Sequence, residues 1–265
     1  MINLSAIRPG TFAGRIVRYP SRILPRGMVV PILQGPLRGK KWIVGAHLHG
    51  CWLGCYEWRT QRRVAEEVTR GSVFYDVGAN VGFYSLLAAT LTGPGRVYAF
   101  EPLPENVHYL RRHLALNKIQ NVEIIKTAIS DEVGTAFFAA EETRAMGRLE
   151  SSGGVRVETY TLDALLQEGR IAPPDCIKMD IEGAEFRALL GARECFSRCK
   201  PKLFLATHGR EVHDDCCRLL SSWQYEFRYT ARQSEERAEL FAHPRPNEPA
   251  TKSCRGKAAP GMAHP

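Results

Sequence analysis

The sequence predicts an α/β fold, a doubly wound and mostly parallel sheet, and three observations carry that prediction. From Ser72 onward, short apolar strand patterns alternate with helix patterns, as a parallel sheet covered on both faces requires. The first strand runs into a glycine-containing turn that opens directly into a helix, VFYDVGANVGFYSLL. The 265 residues are 44% hydrophobic and 24% charged, enough for one such core and a small extension.

Residues 1–70 are read as an N-terminal cap, in which GPLRGKKWIVG resembles a small β-unit and Arg59 to Val68 is helical. The main domain spans 71–241. Val73 to Val77 is its first strand, Val81 to Leu91 a helix, and Gly93-Pro94-Gly95 the turn that ends it. Val97 to Phe100 follows as strand two. Pro104 to Leu116 is helical, with Val107, Leu110 and Leu114 on one face, and Val122 to Ile125 supplies strand three. Between Asp131 and Thr161 the pattern shortens into β-like pieces, Thr135 to Ala139 and Val155 to Tyr160, joined by the polar segment Glu141 to Gly154 as an inserted hairpin. Leu162 to Gln167 is a helix started by Thr161 or Asp163. Cys176 to Met179 is a buried strand four, Ala184 to Leu190 helical, Lys202 to Ala206 strand five, Val212 to Ser221 a helix and Tyr225 to Tyr229 a late strand. The tail, 242–265, is Pro/Gly-rich and basic with little to bury, so disorder is expected there.

The net charge of +8 is concentrated at the ends: residues 1–70 hold 12 Lys/Arg against 3 Asp/Glu. Such an arm can attract nucleic acid, an anionic membrane face or an acidic substrate. The arginines are scattered among few aromatics, so no stacking platform is visible and no nucleic-acid partner is expected. Apolar runs fall far short of the roughly 20 residues that cross a bilayer. Without an export signal, a cytoplasmic location is the expectation. The cysteine spacings, Cys51/Cys55, Cys195/Cys199 and Cys216/Cys217, lack the paired CxxC knuckles of a structural zinc site and read as reduced thiols.

The turn after strand one carries the chemistry. Glycines let the backbone approach a ligand, and the following helix directs free N–H groups at it. A dinucleotide fingerprint anchored at Gly78 needs two further glycines where the chain has Asn80 and Phe83, so that fingerprint fails. Asp76 would repel a pyrophosphate but suits the ammonium of a methionine moiety. Glu101, which ends strand two in YAFEP, can accept hydrogen bonds from both ribose hydroxyls. This pairing favours S-adenosyl-L-methionine. Taken singly, Gly78 and Gly82 could simply make a tight connection, and Asp76 could cap the helix.

The segments DVGANVGFYSLL, GRVYAFEP, TAISD, TLDALL and IKMDIEGAE, with GCYEW before them, together resemble the FkbM-type methyltransferases. The resemblance implies a class I methyltransferase fold, S-adenosyl-L-methionine as donor, and O-methyl transfer to a hydroxyl of a sugar, glycolipid or natural product. Carried over, Asp76, Gly78, Ala79, Asn80 and Gly82 line the methionine end. Glu101, with Pro102 beside it, binds ribose, Thr127 and Ala128 border adenine, and Asp180 lies beside the methyl group.

Strand four should pack beside strand one, which brings Asp180 to the crevice where strand order reverses. A hydroxyl attacking a sulfonium methyl must lose its proton, so a base is expected nearby. Asp180, Glu182, Glu185 and His208 are the candidates. His208 is preferred for its neutral ring near pH 7, Asp180 could instead cap the next helix, and Glu185 reads as a partner of the helix dipole. His213 reads as a surface residue. Ala206 stands where the resemblance leads one to expect an acid. That departure leaves a non-catalytic cofactor-binding scaffold as one alternative, and the basic ends leave a nucleic-acid methyltransferase as another. Asp180, Glu182 and His208 could also converge on Mg²⁺, but the metal-free reading ranks above that. Tyr56 and Glu57 of the cap are candidates to reach the acceptor, a small molecule or glycan bearing a hydroxyl.

Overall fold

A computed structural model describes residues 24–138, 149–150, 154–232 and 237–246. Its centre is a seven-stranded sheet with the order β12-β13-β11-β10-β3-β4-β5. These strands are β3 (Val73–Val77), β4 (Arg96–Phe100), β5 (Val122–Ile125), β10 (Cys176–Met179), β11 (Lys202–His208), β12 (Tyr225–Arg232) and β13 (Arg237–Pro244). β11, β10, β3, β4 and β5 run parallel, while β13 and β12 add an antiparallel edge. From β3 the chain winds outward through β4 and β5, then returns to lay β10 on the opposite side of β3. The strand order therefore reverses between β3 and β10, and a crevice opens there beyond their carboxyl ends.

Side chains alternate along each strand, and this period of two separates two cores. Tyr75, Val77, Ile177, Met179, Leu203 and Leu205 pack on one face. Phe74, Cys176, Phe204 and Phe241 pack on the other, against α3 (Phe83–Thr92) and residues of the N-terminal segment. That segment is a β-hairpin, β1 (Val29–Pro31) with β2 (Lys41–Ile43), followed by α1 (His49–Leu53) and α2 (Trp58–Glu67). The alternation thus places Asp76, Lys178, Ala206 and Glu239 on the face that the cap covers.

His113, on α4 (Pro104–Leu116), ties the cap to the core. Its Nε2 accepts from the Ile43 N–H at 3.1 Å, Nδ1 bonds the Val81 carbonyl at 2.8 Å, and Trp42 stacks on the ring at 3.8 Å. An N–H donor on one ring nitrogen and a carbonyl acceptor on the other define a neutral imidazole. Burial holds its pKa down at about 4.

The inserted hairpin forms a separate four-stranded sheet, in which β7 (Gly134–Phe138) pairs with β9 (Val155–Tyr160) and β6 (Ala128–Ile129) and β8 (Leu149–Glu150) flank them. Most of the polar segment expected between Glu141 and Gly154 lies outside the described residues. Thr161 caps α5 (Leu162–Gln167), its hydroxyl accepting from the Ala164 N–H. The remaining helices are α6 (Glu185–Leu190), α7 (Arg193–Cys199) and α8 (Arg210–Ser222). Two boundaries move relative to the sequence reading. β11 continues through His208, which is therefore a strand residue, and β13 runs to Pro244, past the expected start of the tail at 242. Residues 247–265 lie outside the described set.

Cys51, Cys176 and Cys216 are buried free thiols. No helix among the described residues is long and apolar enough to cross a membrane.

Replacing His113 with Phe keeps the stacked ring but leaves the Val81 carbonyl and the Ile43 N–H without partners, a loss of about 1–3 kcal/mol for each group. The pH dependence has a definite sign. Below 6.5, the ordinary histidine value, the unfolded chain takes up a proton that folded His113 refuses until about pH 4. The wild-type advantage over His113→Phe in chemical denaturation should therefore be largest above pH 7 and shrink as pH falls from 6.5 toward 4. A gap constant across that range would contradict this account.

Candidate active site

A cavity of about 490 Å³ fills the crevice at the strand reversal, running from Glu101, Thr127 and Ala128 at one end to Asp180, Glu182 and His208 at the other. Asp76, Gly78, Ala79, Asn80 and Pro102 also line it. Gly82 does not. It opens α3 with φ 91° and faces inward, where a Cβ would meet Leu110 Cδ1 at 2.2 Å, so its glycine serves helix packing rather than the cavity wall. Gly78 has φ 82°, and a Cβ there would meet the Asp180 carbonyl oxygen at 2.1 Å. The turn after β3 and the loop after β10 can touch only because this side chain is missing.

Glu101 is 4% exposed, and both of its oxygens accept hydrogen bonds. Its Oε2 accepts from the Asn80 N–H at 2.8 Å, and its Oε1 accepts from the Leu103 N–H at 2.9 Å and from Asn106 Nδ2 at 3.2 Å. Burial nevertheless outweighs these bonds and lifts its pKa to about 7. Asp76 is 2% exposed, accepts from the Ser85 hydroxyl at 2.5 Å, and is pushed by burial to about 6. The N-cap residue of α3 is Gly82, but Asp76 bonds Ser85 in the first turn of that helix.

The donor set matches S-adenosyl-L-methionine. A buried carboxylate ends β4 with one acceptor position, on Oε2, left for a ligand hydroxyl, because each oxygen can accept two bonds. A second carboxylate lies under the turn, where an ammonium can be neutralised. In all, six carboxylates (Glu57, Asp76, Glu101, Asp180, Glu182, Glu239) line the cavity against the cations Lys178 and Arg237. This excess suits a ligand carrying both a sulfonium and an ammonium.

Lys178 was not singled out in the sequence, although a lysine inside the apolar strand CIKM signals a paired buried charge. It is 2% exposed, lies beside Asp76 in register, and places Nζ 3.0 Å from Asp180 Oδ2 and 3.9 Å from Glu57 Oε2. The Tyr84 ring lies 4.8 Å from the ammonium, and the Tyr84 hydroxyl donates to Glu57 at 2.7 Å. Burial alone would lower the Lys178 pKa, but Asp180 and Glu57 override it and raise the value. Conversely, burial would raise Asp180, and Lys178 with His208 hold it below the ordinary carboxylate range. Glu57, with burial dominant, is lifted to about 6. Three residues with left-handed backbones, Glu57 (φ 42°), Asn80 (φ 49°) and Glu182 (φ 52°), all face the cavity, where such strain tends to collect.

His208 Nδ1 lies 2.9 Å from Glu185 Oε1, and Nε2 lies 3.4 Å from Glu182 Oε2 and 3.7 Å from Asp180 Oδ1. Burial works against the imidazolium, yet Glu185, Asp180 and Glu182 together raise the His208 pKa above its ordinary value. The ring therefore holds a proton more tightly than the neutral histidine expected from the sequence. Asp180 does not cap α6, whose cap position is Ala184. Glu185 is more than a dipole partner, because it contacts the His208 ring. His213 is buried rather than on the surface, bonded to the Thr207 hydroxyl at 2.9 Å and the Tyr229 hydroxyl at 3.0 Å.

Across from Ala206, its register partner on β13 is Glu239, which also lines the cavity and accepts from the Thr60 hydroxyl. A carboxylate missing from β11 is thus offered by the next strand. Atoms of Asp180, Glu182 and His208 lie within 4.8 Å of one another, a spacing that a divalent ion could bridge. The cations facing these carboxylates are the protein's own: Lys178 on Asp180, and Arg237 on Glu182 at 3.2 Å.

Lys178→Met would leave Asp180 and Glu57 without their shared counter-ion. Breaking such a buried pair costs about 3–5 kcal/mol. Urea unfolding should show a loss of that size, with Glu57→Gln recovering part of it in the double variant. Additive losses would mean that Glu57 and Lys178 are not coupled.

The model of the Methyltransferase FkbM domain matches residues 76–229. Among curated relatives, the hexuronic acid methyltransferase AglP of Haloferax volcanii is 27% identical over 132 residues, 49% of this chain and 54% of that protein. The 31-O-demethyl-FK506 methyltransferase FkbM of Streptomyces tacrolimicus is 28% identical over 171 residues, 51% of this chain and 65% of that protein. The chain thus spans little more than half to two thirds of the length of these relatives. Among solved structures, Methyltransferase FkbM from Methylobacillus flagellatus aligns with a TM-score of 0.47 at 18% identity, covering 74% of this chain and 56% of that one. The family model covers more than half of the sequence, including the glycine turn, Glu101, Asp180 and His208, and the chain belongs to the FkbM family of S-adenosyl-L-methionine-dependent methyltransferases.

Proposed function

We propose that this protein transfers a methyl group to a hydroxyl of a small molecule or glycan. The observation that carries the reading is one continuous cavity with Glu101 and Asp76 toward one end and the Asp180–His208 pair at the other. Bound at Asp76, Asn80 and Glu101, S-adenosyl-L-methionine supplies an electrophilic methyl on sulfur. The chain's own residues do the rest. Asn80 and Leu103 backbone N–H groups hold the Glu101 carboxylate in place, and Lys178 keeps Asp180 ionised at the acceptor end. The His208 ring takes the proton that the acceptor oxygen releases. The cap shuts one side with Tyr56 and Glu57 and excludes water from the charges.

Two relatives named for a hexuronic acid and an O-demethyl substrate support a hydroxyl acceptor. The preponderance of carboxylates in the cavity favours a neutral acceptor over a polyanion such as nucleic acid.

Titration calorimetry with S-adenosylhomocysteine tests the cofactor end. Hydroxyl donors favour the ionised Glu101, whose pKa in the ligand-free chain is about 7, so affinity should fall as pH drops from 8 to 6. Glu101→Gln should weaken binding at pH 8 by about tenfold or more, a loss of about 1.4 kcal/mol, and flatten that pH dependence. Binding unaffected by the substitution would remove Glu101 from the site. For the acceptor end, labelled methyl should pass from the donor to hydroxyl-bearing metabolites or glycans and not to RNA. The reverse pattern would overturn the acceptor class.

A further inference from the structure

The Glu185 carboxylate is 0% exposed and stands behind the cavity wall, yet it grips a ring that forms part of that wall. Its Oε1 accepts from the Ile181 N–H at 3.2 Å and the Gly183 N–H at 3.0 Å, and its Oε2 accepts from the Gly183 N–H at 3.1 Å. With backbone N–H groups donating to both oxygens, the group is a carboxylate, and a carboxylate only accepts. The 2.9 Å contact to His208 Nδ1 therefore needs a proton on Nδ1. In the neutral ring this leaves the lone pair on Nε2, the nitrogen turned toward Asp180 and Glu182.

We propose that Glu185 is a positioning residue that holds the proton of His208 on Nδ1, and so makes Nε2 the atom that receives the proton of the acceptor hydroxyl. The inference rests on the methyl-transfer reading above and specifies its base. Nε2 lies 3.4 Å from Glu182 and 3.7 Å from Asp180, within ion-pair reach but longer than good hydrogen bonds, so neither carboxylate fixes a proton on Nε2 as Glu185 does on Nδ1. Both carboxylates also face cations, Asp180 at Lys178 and Glu182 at Arg237, the register partner of His208 on β13. Lys178 holds Asp180 below the ordinary carboxylate range, and the charge on Asp180 stabilises the imidazolium as it forms. As the acceptor oxygen bonds to the methyl carbon, the electron pair of the sulfur–carbon bond returns to sulfur and the hydroxyl proton goes to Nε2. The charge on the ring is then shared with Glu185. An acid that orients a histidine base in this way fixes its tautomer as well as its direction.

Glu185 could instead serve only to hold the loop from Ile181 to Gly183, where Glu182 (φ 52°) and Gly183 (φ 104°) take left-handed conformations. A purely structural role would leave the ring tautomer untouched, and that difference is measurable. In the full chain labelled with ¹⁵N-histidine, the His208 resonances are assigned by their loss in His208→Gln, and the ring is read at a pH above its titration. The expected result is the Nδ1–H form with an unprotonated Nε2. In Glu185→Gln the proton affinity of His208 should fall about tenfold or more, one pH unit of titration. Binding of S-adenosylhomocysteine should stay within about twofold of wild type. A dominant Nε2–H form in the wild-type protein overturns the proposal, as does an unchanged His208 titration in a Glu185→Gln protein that still binds S-adenosylhomocysteine. If Glu185→Gln does not fold, the wild-type tautomer decides alone. Loss of S-adenosylhomocysteine binding by the wild-type protein would instead strike the methyltransferase reading, and is scored separately.

Discussion

A single buried ammonium sets the terms for the whole cavity. Removing a lysine from water costs several kcal/mol, and Lys178 recovers this only through Asp180 at 3.0 Å, Glu57 at 3.9 Å and the face of Tyr84. These partners come from the loop after β10, from the cap and from α3. The ion can therefore be satisfied only when strand reversal, cap and first helix of the core are all in place. Asp76 beside it and Glu239 two strands away sharpen the same requirement, because the strand alternation directs their carboxylates onto the covered face.

Charge also divides the labour along the cavity. At the Glu101 end, burial outweighs the groups that favour the charged form and lifts Glu101 to about 7 and Asp76 to about 6, the range where a cationic, hydroxyl-bearing ligand can favour the ionised form. At the Asp180 end, Lys178 and His208 hold Asp180 below the ordinary carboxylate range, while burial lifts Glu182 above it despite Arg237. The cap takes part in this arrangement through Glu57 and through the stacked His113–Trp42 pair, which fastens the hairpin to the turn at Val81.

Much of the fold was legible in the sequence because strand and helix periods are local. The central-sheet strands β3, β4, β5, β10, β11 and β12 were anticipated to within a few residues, whereas β13 was not, and the return of the chain to place β10 beside β3 followed from topology. This part of the cavity lining was legible for the same reason: Asp76, Gly78 and Asn80 sit in one turn, and Glu101 ends the next strand. Gly82 was misread because a glycine in a turn can serve either a ligand or a neighbouring helix, and only the position of Leu110 separates the two. His213 was misread because its partners, Thr207 and Tyr229, lie on two different strands.

By itself the sequence determined the order of elements, the glycine turn and the acids at the ends of β3 and β4, since each depends on neighbours a few residues apart. Only tertiary structure decided that Lys178 is paired with Glu57, that Glu239 faces Ala206, and that Glu185 holds His208. Those contacts join residues brought together by strand register and by the docking of the cap, and burial then sets their charges. Neither register nor burial is written in the local pattern, because both arise from packing between distant segments.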